Sequence, residues 1–300
     1  MLAFRLRLVP EANSTAMLPV LVERVVMSYL GAFDRVLRGR LEGFYVVGSV
    51  ALGAFQARRS DIDFVAVMRG GCNARELRLL RAMNWWGSAV AAWWTLTTGV
   101  RRWPTGFNGV FVTWKELASS PCRTTPIASQ QAGRFFVGSG FDINPVTWQV
   151  LAQRGVAVRG PDPRGLNICT DKRELREWVA GNLSTYWAKW SNLILGRSWL
   201  ATKALLRRGA AWGVLGAPRL HATLATSEIL SKEQAGEYAL AAFPAWRPLI
   251  QDALAYWRSE PWSAEYGTPF QRRQAAADFV AAVVADARRQ SITVPFFKSA

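Results

Sequence analysis

The sequence predicts an α+β protein, in which a mixed-sheet domain over residues 1–165 is followed by an all-helical domain over residues 166–300. Three observations lead to this prediction. Short apolar segments with the length of strands occur in the first half and alternate with helical patterns. In the second half apolar residues recur at helical spacing, and no strand pattern is found. A loop rich in proline and glycine, residues 160–163, lies between the two patterns and marks the boundary.

The first half begins with a helix, predicted over residues 15–38 from apolar residues at helical spacing. A second helix is expected to start near Val50 and a third near Ala74. The apolar segments that separate these helices are predicted to be strands of one sheet, and they cover residues 44–47, 62–68, 110–114 and 155–158.

An uncharged segment, residues 82–100, continues the third helix. Its length is sufficient for a membrane span, and its tryptophan pairs could lie at a membrane interface. Asn84, Ser88 and three threonines lower its hydropathy, and the chain contains no second candidate span. We therefore predict a buried helix and no membrane span.

The second half is predicted to contain only helices. Thr170 or Asp171 caps the first of them, and Ser231 with Gln234 forms a capping box at the start of another. The helical segments are expected at residues 174–190, 198–215, 219–227, 232–242, 246–258 and 271–289.

The formal net charge of +16 indicates an anionic partner, such as a nucleotide, a nucleic acid or an anionic membrane. The basic residues are scattered as short arginine pairs, and no run of five or more occurs. This scatter argues against nucleic acid as the partner and in favour of a nucleotide.

Cysteine and histidine are scarce in the chain. Cys72, Cys122 and Cys169 lack the spacing of a zinc site, and His221 is the single histidine. Three isolated cysteines are typical of a reducing compartment, so we expect a cytoplasmic protein. His221 follows Arg219 by two residues on one predicted helix, which leaves a packed histidine and a substrate contact as alternatives.

Two short motifs separated by ten residues indicate the chemistry: Gly48-Ser49 after one strand, and Ser-Asp-Ile-Asp at residues 60–63 before the next. Residues two apart on a strand point to the same face, so Asp61 and Asp63 bring their carboxylates together. Such a pair favours a hard cation with oxygen ligands, and Mg²⁺ also takes substrate phosphates into its octahedron. We therefore predict that Asp61 and Asp63 are the catalytic residues and hold Mg²⁺, with two ions expected.

Gly48, Ser49 and Ser60 are the candidate phosphate ligands. Backbone N–H groups at a helix start form an anion site, and Gly48 has no Cβ to obstruct a phosphate. The hydroxyl of Ser49 can donate to a phosphate oxygen. A triphosphate and its metal ions would then lie side by side, as in-line phosphoryl transfer requires.

This succession of strand, Gly-Ser, helix, Ser-Asp-x-Asp and strand resembles the nucleotidyltransferase superfamily. Within it, the chain resembles the two-domain aminoglycoside adenylyltransferases of the 3''/9 type, through residues 218–221, 226–232, 238–240 and 243–244. The resemblance implies a nucleotidyltransferase-type sheet domain and a magnesium-dependent enzyme with ATP as the nucleotide. It also implies that Arg219 and Lys232 bind the nucleotide phosphates from the second domain, and that Tyr256 packs near the nucleotide.

The chain departs from this family at the third acid, which serves as general base on the next strand. The residue that aligns with this acid is Asn108, whose amide cannot accept a proton at neutral pH. Three explanations remain open. Glu116 or Asp142 supplies the acid, the acceptor is easily deprotonated or already anionic, or the chain binds nucleotide with little transfer activity.

The helical half also departs from the family in its charge. Residues 203–212, before Arg219, contain no aspartate or glutamate, whereas a polycationic aminoglycoside needs an acidic pocket. The sequence therefore favours a neutral or acidic acceptor, with aromatic stacking on Trp187, Trp190 or Trp212.

The leading prediction for function is transfer of a nucleoside monophosphate, expected to be AMP from ATP, to a hydroxyl of a small molecule. The acceptor would be an antibiotic or a natural product, and the site would lie in the cleft between the two domains. Two alternatives remain. Asn108 motivates a nucleotide-binding protein that has lost catalysis, and the net charge motivates a polynucleotide-modifying transferase.

Overall fold

The computed structural model describes residues 18–99, 106–261 and 268–293. Within them, a six-stranded mixed sheet with flanking helices precedes a region that contains only helices. This arrangement confirms the predicted α+β class. The last strand of the sheet ends at Arg159, and the first α-helix of the helical region begins at Lys172. The predicted domain boundary at residue 165 falls between these positions and stays a prediction.

The sheet is built from six strands, β1 (Leu41–Val47), β2 (Ile62–Met68), β3 (Phe107–Val112), β4 (Ala128–Gln131), β5 (Arg134–Val137) and β6 (Val156–Arg159). Their order across the sheet is β5-β4-β3-β2-β1-β6. The pair β2–β3 is parallel, and the other four pairs are antiparallel. The four predicted strands correspond to β1, β2, β3 and β6. Strands β4 and β5 have no predicted counterpart, because Ser129, Gln130 and Gln131 make β4 polar and β5 is largely exposed.

Among the described residues, five α-helices flank the sheet: α1 (Val20–Val36), α2 (Gly48–Ala51), α3 (Ala74–Thr97), α4 (Trp114–Leu117) and α5 (Pro145–Arg154). Helix α1 corresponds to the helix predicted over residues 15–38, of which residues 15–17 lie outside the described part of the chain. Helix α3 starts with a capping box, in which Asn73 and Glu76 each accept the backbone N–H of the other.

An aromatic core lies between one face of the sheet and helices α1 and α3. Tyr29 of α1 packs against Phe64 and Phe107, at ring-centroid distances of 6.0 and 4.8 Å. Gly87 of α3 leaves the space that the Phe107 ring fills, since a Cβ there would lie 2.6 Å from that ring. Close packing on this face fixes β2 and β3, the strands that carry the candidate site, against a rigid layer.

Helix α3 contains most of the uncharged segment, residues 82–100, which the sequence predicts to be buried. That prediction is wrong for one face of the helix, where Trp85, Trp93 and Leu96 are 70%, 64% and 63% exposed. The other face is buried because it packs against α1 and the sheet. In the described part of the chain, no helix combines the length and the apolar character that a membrane crossing requires.

The helical region consists of α6 (Lys172–Asn182), a π-helical turn (Leu183–Trp187), α7 (Ala188–Leu193), α8 (Trp199–Leu205), α9 (Arg207–Thr226), α10 (Lys232–Ala242), α11 (Arg247–Arg258) and α12 (Pro269–Thr293). Helix α9 is central and packs against α8, α10, α11 and α12. The predicted break between residues 215 and 219 is wrong, because Pro218 lies inside α9. The chain breaks instead at Leu206, between α8 and α9.

Two glycines of α9 set how closely the tryptophans of the helical region approach it. A Cβ at Gly213 would lie 2.1 Å from the ring of Trp190, and a Cβ at Gly216 would lie 2.5 Å from the ring of Trp187. Both rings are buried in the core of the helical region. The glycines therefore serve packing rather than a turn, because both lie inside a continuous helix.

Candidate nucleotide and acceptor site

The two aspartates of the Ser-Asp-x-Asp motif converge at the start of β2. Asp61 immediately precedes the strand, and Asp63 pairs with Val47 of β1 and Asn108 of β3. The Asn108 side-chain nitrogen lies 3.5 Å from Asp61 Oδ2 and 3.4 Å from Asp63 Oδ1. One amide group therefore reaches both carboxylates, so their oxygens share one small space.

Two glycines make room for these carboxylates. Gly48 has a φ of +60°, and a Cβ there would lie 2.2 Å from Asp63 Oδ2. A Cβ at Gly106 would lie 2.6 Å from Asp61 Oδ1, and the Gly106 N–H donates to that oxygen at 2.9 Å. From the sequence, the space left by the absent Cβ of Gly48 is expected to admit a phosphate. In the structure, the carboxylate of Asp63 occupies that space.

The two serines of the motifs have different surroundings. The hydroxyl of Ser49, at the start of α2, is buried and has no hydrogen-bond partner among the described residues. Ser60 is buried, and its hydroxyl accepts the backbone N–H of Gln56 at 3.0 Å. Neither serine lines the cavity described next. Ser49 remains the better candidate for a ligand, since its hydroxyl has no hydrogen-bond partner at all among the described residues.

A cavity of about 310 Å³ lies between the sheet and the helical region. Its sheet-side wall contains Gly48, Asp63, Asn108 and Asp142. The facing wall contains the two candidate cations and an aromatic surface, formed by Trp178, Tyr186, Trp187, Trp212, Arg219 and Lys232. The cavity thus brings the acids of one half of the chain opposite the cations of the other half.

The candidate cations are held close to the acids but do not form ion pairs with them. Arg219 donates from Nε to the backbone carbonyl of Leu230 at 2.9 Å, and burial lowers its pKa. Lys232 places Nζ 4.6 Å from the ring centre of Trp257. Burial, and to a lesser extent the charge of Arg219, lower the pKa of Lys232 to about 8, against the opposing charges of Asp61 and Asp63. An anion in the cavity would therefore meet two cations that lack a carboxylate partner within the described residues.

The acids of the opposite wall repel one another. Burial raises the pKa of Asp63 to about 7, and the charges of Asp142 and Asp61 contribute to the rise. Burial also raises the pKa of Asp142 to about 6, again with a contribution from Asp61. Such a group of acids in a partly desolvated space is stabilised by added positive charge.

The Asp61–Asp63 pair fits a magnesium ion that completes its shell with phosphates and water, because Mg²⁺ commonly takes one or two protein carboxylates. Within the described residues, no three acidic, histidine or cysteine side chains are spaced to hold one metal ion. The number of ions, two in the sequence-based expectation, stays a prediction.

Asn108, which the resemblance to the family matches to the third acid, lies level with Asp63 on the neighbouring strand. Its Oδ1 accepts the backbone N–H of Ala132 at 2.9 Å, so its amide nitrogen is the atom that faces the carboxylates. The amide donates toward the acids, and this hydrogen bond partly offsets the rise in the pKa of Asp63. The amide of Asn108 cannot accept a proton at neutral pH, so the assignment of this position to a general base stays a prediction.

Three more residues named from the sequence, Tyr256, Trp190 and His221, also lie outside the cavity. Tyr256 lies close to Arg59 and Arg207, whose guanidinium carbons are 3.9 and 5.6 Å from its ring centre. The prediction that the acceptor stacks on Trp190 is wrong, because the Trp190 ring fills the space above Gly213 in the core.

The third of these residues, His221, is a packed histidine, which settles the alternative left open by the sequence. Its ring lies 2.8 Å from the Tyr238 hydroxyl and 2.9 Å from Asp286 Oδ2. It is 1% exposed, and burial lowers its pKa. A solvent-excluded ring with both nitrogens engaged has no atom left for a substrate.

The sequence missed part of the aromatic wall and did not decide between the candidate acids. Trp178 and Tyr186 line the cavity with Trp187 and Trp212, whose rings lie 4.7 Å apart. No local signal marks Trp178 and Tyr186, because their helix periodicity is the same as that of core residues. Asp142 lies in the loop before α5 and reaches the site only through the fold.

Comparisons with known proteins agree with this architecture. Residues 198–286 match the family model for the C-terminal domain of aminoglycoside adenylyltransferase. The structure is similar to the crystal structure of spectinomycin adenyltransferase AAD(9) from Enterococcus faecialis with ATP and spectinomycin. The TM-score is 0.56 at 13% sequence identity, over 86% of this chain and 98% of that chain. No curated protein sequence matches the chain. The resemblance inferred from the motifs is confirmed: the chain has the fold of these nucleotidyltransferases.

Proposed function

We propose that this protein is a magnesium-dependent nucleotidyltransferase that moves AMP from ATP to a hydroxyl of a small molecule. The observation that carries the proposal is the cavity in which Asp63 lies across from Arg219 and Lys232. Asp61 lies beside Asp63, outside the lining, and its charge acts on Lys232. A triphosphate with bound Mg²⁺ requires cation-binding carboxylates on one side and phosphate-binding cations on the other. The fold shared with an ATP-binding relative supports the same reading.

Each residue has a role that follows from its position. Asp61 and Asp63 would hold Mg²⁺, which when bound neutralises charge on the phosphates. The orphaned hydroxyl of Ser49 donates to a phosphate oxygen, beside the backbone N–H groups that follow Gly48. Arg219 and Lys232 bind the phosphates from the helical side, and the acceptor lies along the aromatic wall.

The direct test is calorimetric titration of ATP with Mg²⁺ into the wild type and into Asp61→Ala/Asp63→Ala. We expect the wild type to bind with micromolar affinity, and the double variant to lose binding by about 100-fold or more, because it cannot hold the metal–phosphate complex. GTP, CTP and UTP measure base preference in the same assay. A wild type that binds no triphosphate would contradict the proposal.

The lining of the cavity supports a neutral or acidic acceptor. Trp178, Tyr186, Trp187 and Trp212 line the part formed by the helical region, and the acids of the lining, Asp63 and Asp142, both belong to the sheet side. Aromatic faces bind apolar or ring-shaped groups, whereas several ammonium groups would each require a carboxylate. Release of pyrophosphate from ATP identifies acceptors, and tight binding of streptomycin or spectinomycin would contradict this choice of acceptor.

Nucleotide affinity should depend on the ionisation of Lys232. Its pKa is lowered to about 8, so the free protein loses this positive charge as the pH rises through 8. We expect ATP to bind about tenfold more weakly at pH 9.5 than at pH 7.5, which corresponds to the loss of one charge-assisted hydrogen bond. Lys232→Arg is the matched control, since a guanidinium stays charged over this range. Parallel pH profiles for the wild type and Lys232→Arg would refute this role for Lys232.

Asn108 favours one second candidate, a nucleotide-binding protein with little transfer activity. The two candidates share nucleotide binding and differ in turnover. If Asn108→Asp raises the rate of pyrophosphate release strongly over a barely active wild type, the second candidate is supported. An active wild type supports the first.

A further inference from the structure

The position of the usual third acid is closed to proton transfer in this chain. The backbone N–H of Ala132 fixes Oδ1 of Asn108 at 2.9 Å, and the amide nitrogen points at the metal-binding pair. Rotating the amide would set its nitrogen against the Ala132 N–H and lose that bond. A proton acceptor must therefore come from another part of the cavity.

Glu116, the first alternative named from the sequence, is committed elsewhere. Its carboxylate accepts the backbone N–H of Thr113 at 2.7 Å, and its own N–H donates to the Thr113 hydroxyl at 3.3 Å. This reciprocal pair is the capping box of α4. Glu116 does not line the cavity.

Asp142 lies on the cavity wall with Asp63 and Asn108, and its loop is held on both sides. Asn144 caps α5 by accepting the N–H of Thr147 at 2.9 Å, and it donates to the carbonyl of Phe141 at 3.0 Å. On the other side, the Ser129 hydroxyl of β4 donates to the carbonyl of Ser139 at 2.6 Å. These hydrogen bonds therefore fix the backbone of the loop that carries Asp142.

The placement of Asp142 suits a proton acceptor better than a shared metal ligand. It is near enough for its charge to act on Asp63 and for Asp61 to act on it. Yet within the described residues it does not join the pair in a group spaced to hold one metal ion. A carboxylate that lines the same cavity as Asp63 without belonging to a metal-binding group can accept a proton from a hydroxyl bound there.

We propose that Asp142 replaces the missing acid of β3 and accepts the proton of the acceptor hydroxyl during transfer; this inference rests on the function proposed above. As the hydroxyl oxygen forms its bond to the α-phosphorus of ATP, its proton passes to a carboxylate oxygen of Asp142. The bond from the α-phosphorus to the bridging oxygen breaks, and that oxygen leaves with its electron pair as part of pyrophosphate. The third carboxylate thus comes from the loop before α5 rather than from the neighbouring strand.

The test compares the wild type, Asp142→Asn, Asn108→Asp and the double variant, with glycerol and with hydroxylamine as acceptors of AMP from Mg²⁺-ATP. Glycerol needs its proton removed during attack, whereas hydroxylamine attacks through a free lone pair. We expect Asp142→Asn to lower kcat with glycerol by about 100-fold or more, and with hydroxylamine by less than about fivefold. The affinity for Mg²⁺-ATP, measured by calorimetry, should change by less than about threefold. Asn108→Asp in the Asp142→Asn background should restore at least about tenfold, because it returns a carboxylate to β3.

Glu116→Gln is the control, since glutamine also completes a capping box and activity should persist. Undiminished glycerol transfer by Asp142→Asn, in the presence of wild-type transfer, would overturn this inference alone. Equal losses with glycerol and hydroxylamine, or a matching loss of ATP affinity, would also overturn it, because they indicate a structural role. A wild type that binds no nucleotide would overturn the proposed function and this inference together.

Discussion

Replacing Asp63 with asparagine is expected to abolish nucleotidyl transfer while raising the melting temperature of the ligand-free protein at pH 8. Loss of one of the two carboxylates that would hold the metal should cost at least about 10³-fold in kcat/KM, roughly 4 kcal/mol of transition-state stabilisation. The gain in stability has a separate cause. Burial, Asp142 and Asp61 raise the pKa of Asp63 from 3.8 to about 7, so its charged form destabilises the empty site.

The sign of the pH dependence follows from the two pKa values. Between about pH 4 and pH 7 the native protein keeps the Asp63 proton that the unfolded chain has released, so the native state binds more protons. Stability conferred by Asp63 therefore falls as the pH rises, and the full penalty is present above pH 7. Because Asp63 is only partly buried, we expect Asp63→Asn to gain about 1–2 kcal/mol at pH 8, roughly 2–5 °C, and almost nothing at pH 4.

Asp61→Asn is the matched control for this experiment. Asp61 is exposed, so its replacement should remove activity to a similar extent with a smaller change in melting temperature. Thermal unfolding at pH 4, 6 and 8, with and without Mg²⁺, measures the difference. If Asp63→Asn is less stable than the wild type at pH 8, the electrostatic strain assigned to this site is wrong.

Gly48→Ala should lower transfer activity, because it changes the backbone next to Asp63. Gly48 has a φ of +60°, which costs about 1–2 kcal/mol for alanine, and the new Cβ would lie 2.2 Å from Asp63 Oδ2. The carboxylate of Asp63 must then move, and a displacement of about 1 Å at a catalytic group can cost 10²-fold in rate. We expect transfer to fall by about 100-fold or more, and Mg²⁺-ATP affinity to fall with it.

Gly53→Ala separates the effect of backbone strain from the effect of the contact with Asp63. Gly53 has a φ of +66°, and a Cβ there meets no atom within 4 Å. The variant therefore carries the same backbone strain without contact to the site, and it should lose stability but keep most of its activity. Equal losses of activity in Gly48→Ala and Gly53→Ala would show that the contact with Asp63 is not what matters.

The sequence was sufficient for the features that depend on neighbouring residues. Strands β1, β2, β3 and β6 are apolar runs, and α10 begins at the predicted Ser231–Gln234 capping box. The side-by-side placement of Asp61 and Asp63 follows from strand geometry. Asn108 was matched to the third acid of the family from the strand that follows the motif, and the structure places it level with Asp63. Periodicity and capping are local, so a single chain reveals them.

Predictions from local sequence patterns failed where the polarity or the burial of a segment depends on residues distant in the chain. Strands β4 and β5 pair at a sheet edge without an apolar pattern, and Pro218 continues a helix that propensity alone would end. Trp85 and Trp190 carry the same sequence signal, yet one is 70% exposed and the other 4%. Only the packing of each helix against its neighbours separates them.

The sequence by itself determined the fold class, the acid pair and the absence of a carboxylate on β3. Tertiary structure decided which side chains share the cavity: Arg219 and Lys232 cross from the helical region, Asp142 enters from the loop before α5, and Tyr256 stays outside. The reason is physical. A motif records the geometry of a few consecutive residues, whereas a site between two layers exists only after the sheet and the helices have packed against each other.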